Sequence, residues 1–205
     1  MQQGDTRADG RDILSLIERT RVIGIIRADA PDKALRDARR LLGAGIEAIE
    51  ISLVTPGALA VIDELTADGV AVGVGTALHP RQVAAAADAG ARFVVSPDLN
   101  TEVIRATLER GLVSVPGAGS VTEALAARRA GAHLVKLFPA TTFGPHGVRG
   151  VLASVPSLPL APTGGVTMLA AQHYLRAGAV AVGMGSALVE AAESDPEAIR
   201  NLVTH

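Results

Sequence analysis

The feature that most limits what this chain can fold into is a repeat. A short apolar run rich in β-branched residues is followed by a turn. An Ala-rich amphipathic segment comes next and ends in Gly. Eight such runs occur: Val22–Ile26, Ala48–Ile51, Val70–Val74, Phe93–Ser96, Leu112–Val115, Leu134–Phe138, Leu158–Ala161 and Val180–Gly183. Helical spacing fills the intervals, at about 31–43, 57–68, 80–89, 100–110, 121–130, 145–154, 167–177 and 186–203. Pro31, Pro56, Pro80 and Pro145 stand where helices begin, since Pro at a first helical position has a suitable φ and needs no N–H partner. Gly45, Gly69, Gly90, Gly111, Gly131 and Gly178 stand between a helix and the next run, where a left-handed residue ends a helix. Runs such as Phe93-Val94-Val95 are apolar on both faces, as buried parallel strands are.

Eight strand–helix units with right-handed crossovers predict an α/β fold, a (β/α)8 TIM barrel. An open doubly wound sheet uses the same alternation but leaves edges that equal-sized units do not mark. Residues 9–20 read as an extra N-terminal helix able to plug the barrel's bottom. The expected organisation is a flexible N-terminus over 1–10 and a single barrel domain over 11–205. The 205 residues are 48% apolar but only 2% aromatic, so the core is built of small side chains and offers no platform for stacked bases. A net charge of −2 gives no pull toward nucleic acid or a membrane surface. The longest stretch without Asp, Glu, Lys or Arg, Gly150–Leu175, is broken by Pro156, Pro159, Pro162 and Gly164-Gly165, so it is not read as a membrane span. Met1–Arg11 is polar and lacks the apolar centre of a signal peptide. The default is a cytoplasmic enzyme.

In such a fold, chemistry gathers at the C-terminal ends of strands. Lys136 lies inside the sixth run. Of 19 basic residues only Lys33 and Lys136 are lysines. A chain so biased toward Arg keeps Lys where Arg cannot serve, and a neutral amine forms an imine with a ketone while a guanidinium does not. A salt bridge or a phosphate contact would also use a lysine at a strand end. Glu50, near the end of the second run, shares a strand face with Ala48, while Ile49 and Ile51 share the other. A carboxyl on an inward face suits a proton shuttle, or else an ion pair, with Lys136 among the candidates. Pro162-Thr163-Gly164-Gly165 and Gly183-Met184-Gly185-Ser186 form two Gly-rich turns that each open a helix. Together they suit an anion bound by backbone N–H groups. Weaker signals are Gly75-Thr76, Ser96-Pro97 and Pro116-Gly117. Arg27, after the first run, is able to meet a carboxylate or phosphate, or to pair with Asp29 or Asp32. There is no cysteine, and His79, His133, His146, His173 and His205 are dispersed. Neither a metal-ligand motif nor a strand-following GxGxxG is present, so no metal, nicotinamide or flavin is expected.

The segments at 50–59 (EISLVTPGAL), 73–80 (GVGTALHP), 93–97 (FVVSP), 135–140 (VKLFPA), 143–145 (FGP) and 162–166 (PTGGV) resemble the 2-keto-3-deoxy-6-phosphogluconate (KDPG) aldolase family. That family includes 4-hydroxy-2-oxoglutarate and 2-keto-3-deoxy-6-phosphogalactonate aldolases. The resemblance covers about residues 12–195. It implies a class I aldolase with Lys136 as the Schiff-base lysine and Glu50 as the general acid/base. Thr76, Pro97 and Phe138 match contacts to the pyruvyl group. Thr163, Gly164 and Gly165, with Gly185 and Ser186, match the site of the distal phosphate or second carboxylate. It further implies no cofactor beyond the covalent imine, a keto-acid phosphate as substrate and a homotrimer. Some members carry Arg four residues after the catalytic Glu, where this chain has Val54. Arg27 is the expected substitute for holding the carboxylate. A phosphate-binding isomerase or synthase, or a non-catalytic phospholigand-binding barrel, would share the Gly-rich loops without needing the imine.

Overall fold

The computed structural model describes residues 10–203; the N-terminal segment expected to be flexible lies, all but its last residue, outside them. Strands and helices alternate. The elements are α1 (Gly10–Thr20), β1 (Val22–Ile26), α2 (Pro31–Gly43), β2 (Ala48–Ser52), α3 (Ala58–Ala67), β3 (Ala71–Gly75), α4 (Pro80–Asp88), β4 (Phe93–Val95) and α5 (Thr101–Glu109). They continue with β5 (Val113–Val115), β6 (Gly117–Ala118), α6 (Val121–Arg129), β7 (Val135–Leu137), α7 (Ala140–Ser154), β8 (Leu160–Pro162), α8 (Met168–Arg176), β9 (Val182–Met184), α9 (Ser186–Ser194) and α10 (Pro196–Val203).

All strand pairings are parallel. Six strands run in the order β5-β4-β3-β2-β1-β9 and three in the order β6-β7-β8. The sheets adjoin twice. β5 and β6 lie on either side of Pro116, which has no N–H to give to a ladder. At the other end Thr163, just past β8, makes a parallel bridge to Gly183 of β9, and the Val180 amide donates to the Leu160 carbonyl at 2.9 Å.

Local chemistry accounts for the helix ends. Pro31 and Pro80 occupy first-turn positions of α2 and α4. Asn100 caps α5 by accepting from the amides of Glu102 and Val103, Ser120 caps α6 from Glu123, and Thr167 caps α8 from Ala170. The six glycines expected between helices and strands all have positive φ, from 67° at Gly111 to 103° at Gly178. Three details differ from the sequence reading. The fifth run continues past Pro116 as β6. Helix α7 begins before Pro145, because two helical segments abut at Gly144 (φ 62°, ψ 171°). The last helical stretch divides at Asp195-Pro196, where the Asp195 carboxylate accepts from the Ala198 amide at 3.1 Å and starts α10.

Alternation along the strands feeds two apolar clusters. The larger takes Ile26, Ile49, Ile51, Val72, Val74 and Val94 and packs them on the helices. The smaller joins Ile23, Ala48, Phe93, Val95, Val113, Val115, Leu134 and Ala181 to Ile13 and Ile17 of α1. Phe93, fully buried, fills much of this second cluster, and Gly73 gives it room. A Cβ on Gly73 would sit 2.3 Å from the ring.

Gly73→Ala is therefore expected to lower unfolding free energy by about 1–3 kcal/mol, the usual cost of overpacking a filled core. Gly150→Ala, on the exposed side of α7 with nothing within 4 Å of the added Cβ, should raise it by about 0.5–1 kcal/mol. Denaturant midpoints of the two variants moving in the same direction would contradict this reading of the core.

Candidate active site

Lys136 is the central residue of β7, between Gly117 of β6 and Ala161 of β8 in the ladder. Its backbone amide donates to the Pro116 carbonyl at 2.9 Å, so both neighbours fix the strand before the side chain leaves it. The side chain is 8% exposed. Its Nζ lies 5.2 Å from the centroid of the Phe138 ring, within cation–π range. The Phe138-Pro139 peptide bond that follows is cis.

Glu50 sits in β2, opposite Ile25 of β1 and Gly73 of β3, and is 2% exposed. Among the described residues its carboxylate makes no hydrogen bond and no close ion pair. Burial in this apolar setting disfavours the charged form and raises the carboxyl's pKa above the ordinary glutamate range. The positive charges of Lys136 and then Arg27 pull it the other way without cancelling the rise. Desolvation thus outweighs charge attraction, so Glu50 holds its proton to higher pH than an exposed glutamate does.

A single cavity of about 900 Å³ joins these groups. Glu50, Lys136, Phe138 and Arg27 line it, as do Thr163, Gly164, Gly165, Gly185 and Ser186. Arg27 is exposed and forms no ion pair with Asp29 or Asp32 among the described residues. Gly164 and Gly165 have φ of 91° and 72°, a backbone that L side chains rarely adopt. A Cβ on Gly164 would fall 2.8 Å from the Phe138 ring. Gly185 is the residue before α9, and Ser186 and Ala187 of its first turn face the same space. Unsatisfied N–H groups of a helix start therefore open onto the cavity. Thr163 has a narrower range of uses than its position suggests. Its hydroxyl donates to the Ala161 carbonyl at 3.0 Å and its amide to the Leu137 carbonyl at 3.0 Å, so both donors are engaged. Its place is the seam where a Cβ on Gly183 would meet its Oγ1 at 2.4 Å.

Two expected residues do not line this cavity. Pro97 follows β4 and turns its carbonyl toward Gly117, where an added Cβ would lie 2.2 Å from the oxygen. Thr76 is half-buried, with φ of 61°, and its Oγ1 is 2.8 Å from Ser52 Oγ. The sequence reading, in turn, missed the outer wall between α2 and α9. There Lys33 pairs with Asp37, which is 6% exposed, and Arg40 reaches Asp37 and Glu193. The i, i+4 spacing of Lys33 and Asp37 was the available signal. It also missed what Gly75 is for: a Cβ there would come within 1.9 Å of Glu50 Oε1. Two glycines in a five-residue strand were the clue, since glycine inside a strand marks a close approach. Among the described residues no group of three or more His, Cys, Asp or Glu side chains is placed to hold a metal ion.

The family model for KDPG and KHG aldolase matches residues 13–202. The chain is 36% identical over 177 residues to the 2-dehydro-3-deoxy-6-phosphogalactonate aldolase of Escherichia coli K12, covering 84% of this chain and 86% of that one. It is 35% identical over 164 residues to the 2-dehydro-3-deoxy-phosphogluconate aldolase of Pseudomonas aeruginosa, covering 78% and 74%. Among solved structures, the KDPG aldolase of Legionella pneumophila, with pyruvate captured as a covalent carbinolamine, superposes with a TM-score of 0.77 at 28% identity, over 93% of this chain and 96% of that one. The mostly parallel α/β architecture is shared with these TIM-like neighbours. The chain belongs to the KDPG and KHG aldolase family, and it is an aldolase, a carbon–carbon lyase of the metal-independent class I kind.

Proposed function

We propose that this aldolase cleaves KDPG to pyruvate and glyceraldehyde 3-phosphate through an imine on Lys136, and that it also accepts 4-hydroxy-2-oxoglutarate, giving pyruvate and glyoxylate. The observation that carries the reading is a buried amine and a buried carboxyl that line one cavity together with two Gly-rich loops. The neutral amine of Lys136 attacks the C2 ketone, and loss of water gives an iminium. Glu50, through a water, takes the proton of the C4 hydroxyl. The C3–C4 bond breaks, the aldehyde leaves, and the bonding electrons pass into the iminium to give a neutral enamine. Protonation at C3 and hydrolysis release pyruvate and regenerate the amine. The electron sink is the main contribution, and general acid–base help from Glu50 adds about 10²–10⁴-fold.

In this reading Phe138 packs against the pyruvyl group. Arg27, with no close ion pair among the described residues, holds the carboxylate in the absence of an Arg at the Val54 position. Gly164 and Gly165, held in place by Thr163, together with Gly185 and Ser186, receive the phosphate by backbone N–H groups and so orient the reacting bond. The galactonate epimer is a second reading, favoured by the 36% identity to the Escherichia coli galactonate aldolase. The fold proposed for the whole is one (β/α)8 domain, with the two sheets closed through Pro116 and the Thr163–Gly183 bridge. α1 covers its bottom through Ile13 and Ile17. A homotrimer in the cytoplasm completes the proposal. It is consistent with the exposed apolar side chains Val54, Leu59, Leu78, Val121 and Leu169, and with the absence, among the described residues, of a helix long and apolar enough to cross a membrane.

A coupled assay of pyruvate release should give measurable kcat/KM for KDPG, its C4 epimer and 4-hydroxy-2-oxoglutarate, with KDPG first. Lys136→Ala should fall to background with all three, and Arg27→Ala should raise the KM for pyruvate in the condensation direction. Full lyase activity in Lys136→Ala would remove the imine from the account.

The raised Glu50 carboxyl also has a consequence for stability. Between the ordinary glutamate range and the raised value, the folded protein keeps a proton that the unfolded chain has lost. Stability therefore falls as pH rises across that window. Glu50→Gln should be more stable than the parent at neutral pH, with the gap closing as pH drops below the ordinary glutamate range, and its kcat should fall by about 10²–10⁴-fold. A denaturation series in which the variant is less stable at neutral pH would contradict the direction assigned to burial.

A further inference from the structure

We infer that Arg36 of α2 is a specificity-determining residue: its guanidinium meets the distal phosphate of the substrate together with the Gly-rich loops, and so favours phosphorylated substrates over short dicarboxylates. The inference rests on the proposed reading of those loops as the phosphate site. It goes further by naming the side chain that neutralises the bound dianion.

The first support is a balance of charges. Among the described residues, the cationic side chains that line the cavity are Arg27, Lys33, Arg36, Arg40 and Lys136. Lys136 is the proposed imine amine, and Arg27 the proposed partner of the substrate's carboxylate. Lys33 is paired with Asp37 at 2.5 Å. Arg40 is paired with Asp37 at 3.7 Å and with Glu193 of α9 at 3.6 Å. Asp37 is 6% exposed, so it anchors both of those cations from within the wall. That leaves Arg36, which makes no ion pair among the described residues and is exposed to the space of the cavity. Backbone N–H groups at a helix start supply direction but only about +0.5 of an elementary charge. A phosphate monoester carries about −1.5 to −2 at neutral pH. A full positive charge is needed beside the loops, and the guanidinium fork matches the geometry of phosphate oxygens.

The second support is position. Arg36 stands three residues after Lys33 and four before Arg40, so the three share one side of α2. That side faces α9, as the Arg40–Glu193 pair shows. Side chains on a helix lean toward its N-terminus. The N-terminus of α2 follows β1 and Arg27, at the strand ends where the cavity opens. A long side chain at Arg36 therefore leans toward the cavity and not away from it. The opposing helix start is Ser186, whose turn lines the same cavity. Glu190, one turn further along α9, also lines it and makes no ion pair among the described residues. A dianion entering here would be repelled by that carboxylate, and Arg36 on the facing helix offsets it. The distal group of 4-hydroxy-2-oxoglutarate is a single carboxylate on C4, whereas the phosphate of KDPG is carried on C6. The shorter molecule ends before it reaches the α2 wall.

The test compares kcat/KM in Arg36→Ala, Arg36→Lys and the parent, for 4-hydroxy-2-oxoglutarate and for whichever of KDPG and its C4 epimer the parent cleaves faster. Both six-carbon acids carry the same phosphate, so the choice of epimer does not affect the outcome. With the phosphorylated substrate Arg36→Ala should lose about tenfold, the worth of one charge-assisted hydrogen bond at a partly wet site. The loss should lie in KM with kcat unchanged, because the contact is made equally before and during reaction. Arg36→Lys should recover most of it. With 4-hydroxy-2-oxoglutarate both variants should match the parent. Added salt should narrow the gap between parent and Arg36→Ala. Arg105→Ala, which removes an equal charge from the exposed side of α5, should match the parent on both substrates. A parental KM for the phosphorylated substrate in Arg36→Ala overturns the inference. So does an equal loss on the two substrates, or a loss in Arg105→Ala as large as in Arg36→Ala, since net charge and not a local contact would then be responsible. A parent that cleaves neither phosphorylated acid overturns the proposed phosphate site itself.

Discussion

Everything at this site depends on taking a carboxyl and an amine out of water together. Glu50 and Lys136 are 2% and 8% exposed. Burying a lone charge is expensive, and a protein relieves that cost by pairing the group or by neutralising it. Here Glu50 has no close partner among the described residues, so neutralisation is favoured, and its carboxyl keeps its proton to higher pH than usual. Lys136 and Arg27 moderate the effect but do not reverse it. That balance makes one side chain useful both for receiving a proton and for returning it.

The small-residue core follows from this requirement. Gly73 yields to Phe93, Gly75 to Glu50, Gly164 to Phe138, Gly183 to Thr163 and Gly117 to the Pro97 carbonyl. At Gly75, Gly164 and Gly183 a methyl group would collide with a side chain that lines the cavity, at Gly73 with the buried Phe93 ring and at Gly117 with backbone. The larger apolar cluster on the helix side of the strands carries the bulk of the packing. The inner side is left free to hold polar groups over a floor built from Ile13, Ile17, Phe93 and Leu134. Stability and chemistry are thereby assigned to opposite faces of the same strands, which a period-two alternation permits.

Much of this was legible in the sequence. The eight apolar runs carry eight of the nine observed strands, β6 lying past the fifth, because buried parallel strands need continuous β-branched residues and helices need their Pro and Gly punctuation. Lys136 stood out by scarcity, and Glu50 by a charge placed where alternation predicts an inward side chain. What the sequence did not reveal depends on contacts between segments distant in the chain. The division of the fifth run at Pro116 needs the neighbouring sheet. The commitment of the Thr163 hydroxyl to Ala161 and the meeting of Ser52 with Thr76 need coordinates, because a hydroxyl's partner is set by tertiary geometry and not by local pattern. Lys33 lines the cavity only because α9 packs alongside α2, a contact no local pattern announces. Pro97 and Thr76, which match family contacts by motif, are not among the residues that line the cavity, and Thr76 meets Ser52. A motif fixes a residue's order in the chain more firmly than the direction of its side chain.

The central claim is that one buried amine becomes covalently bonded to pyruvate. Incubating the protein with pyruvate and borohydride, then mapping the added mass by peptide, tests it most directly. The account predicts one reduced three-carbon adduct per chain, on the peptide containing Lys136 and absent in Lys136→Ala. A label on Lys33 instead, or no label at all with a protein that still releases pyruvate from KDPG, would contradict it.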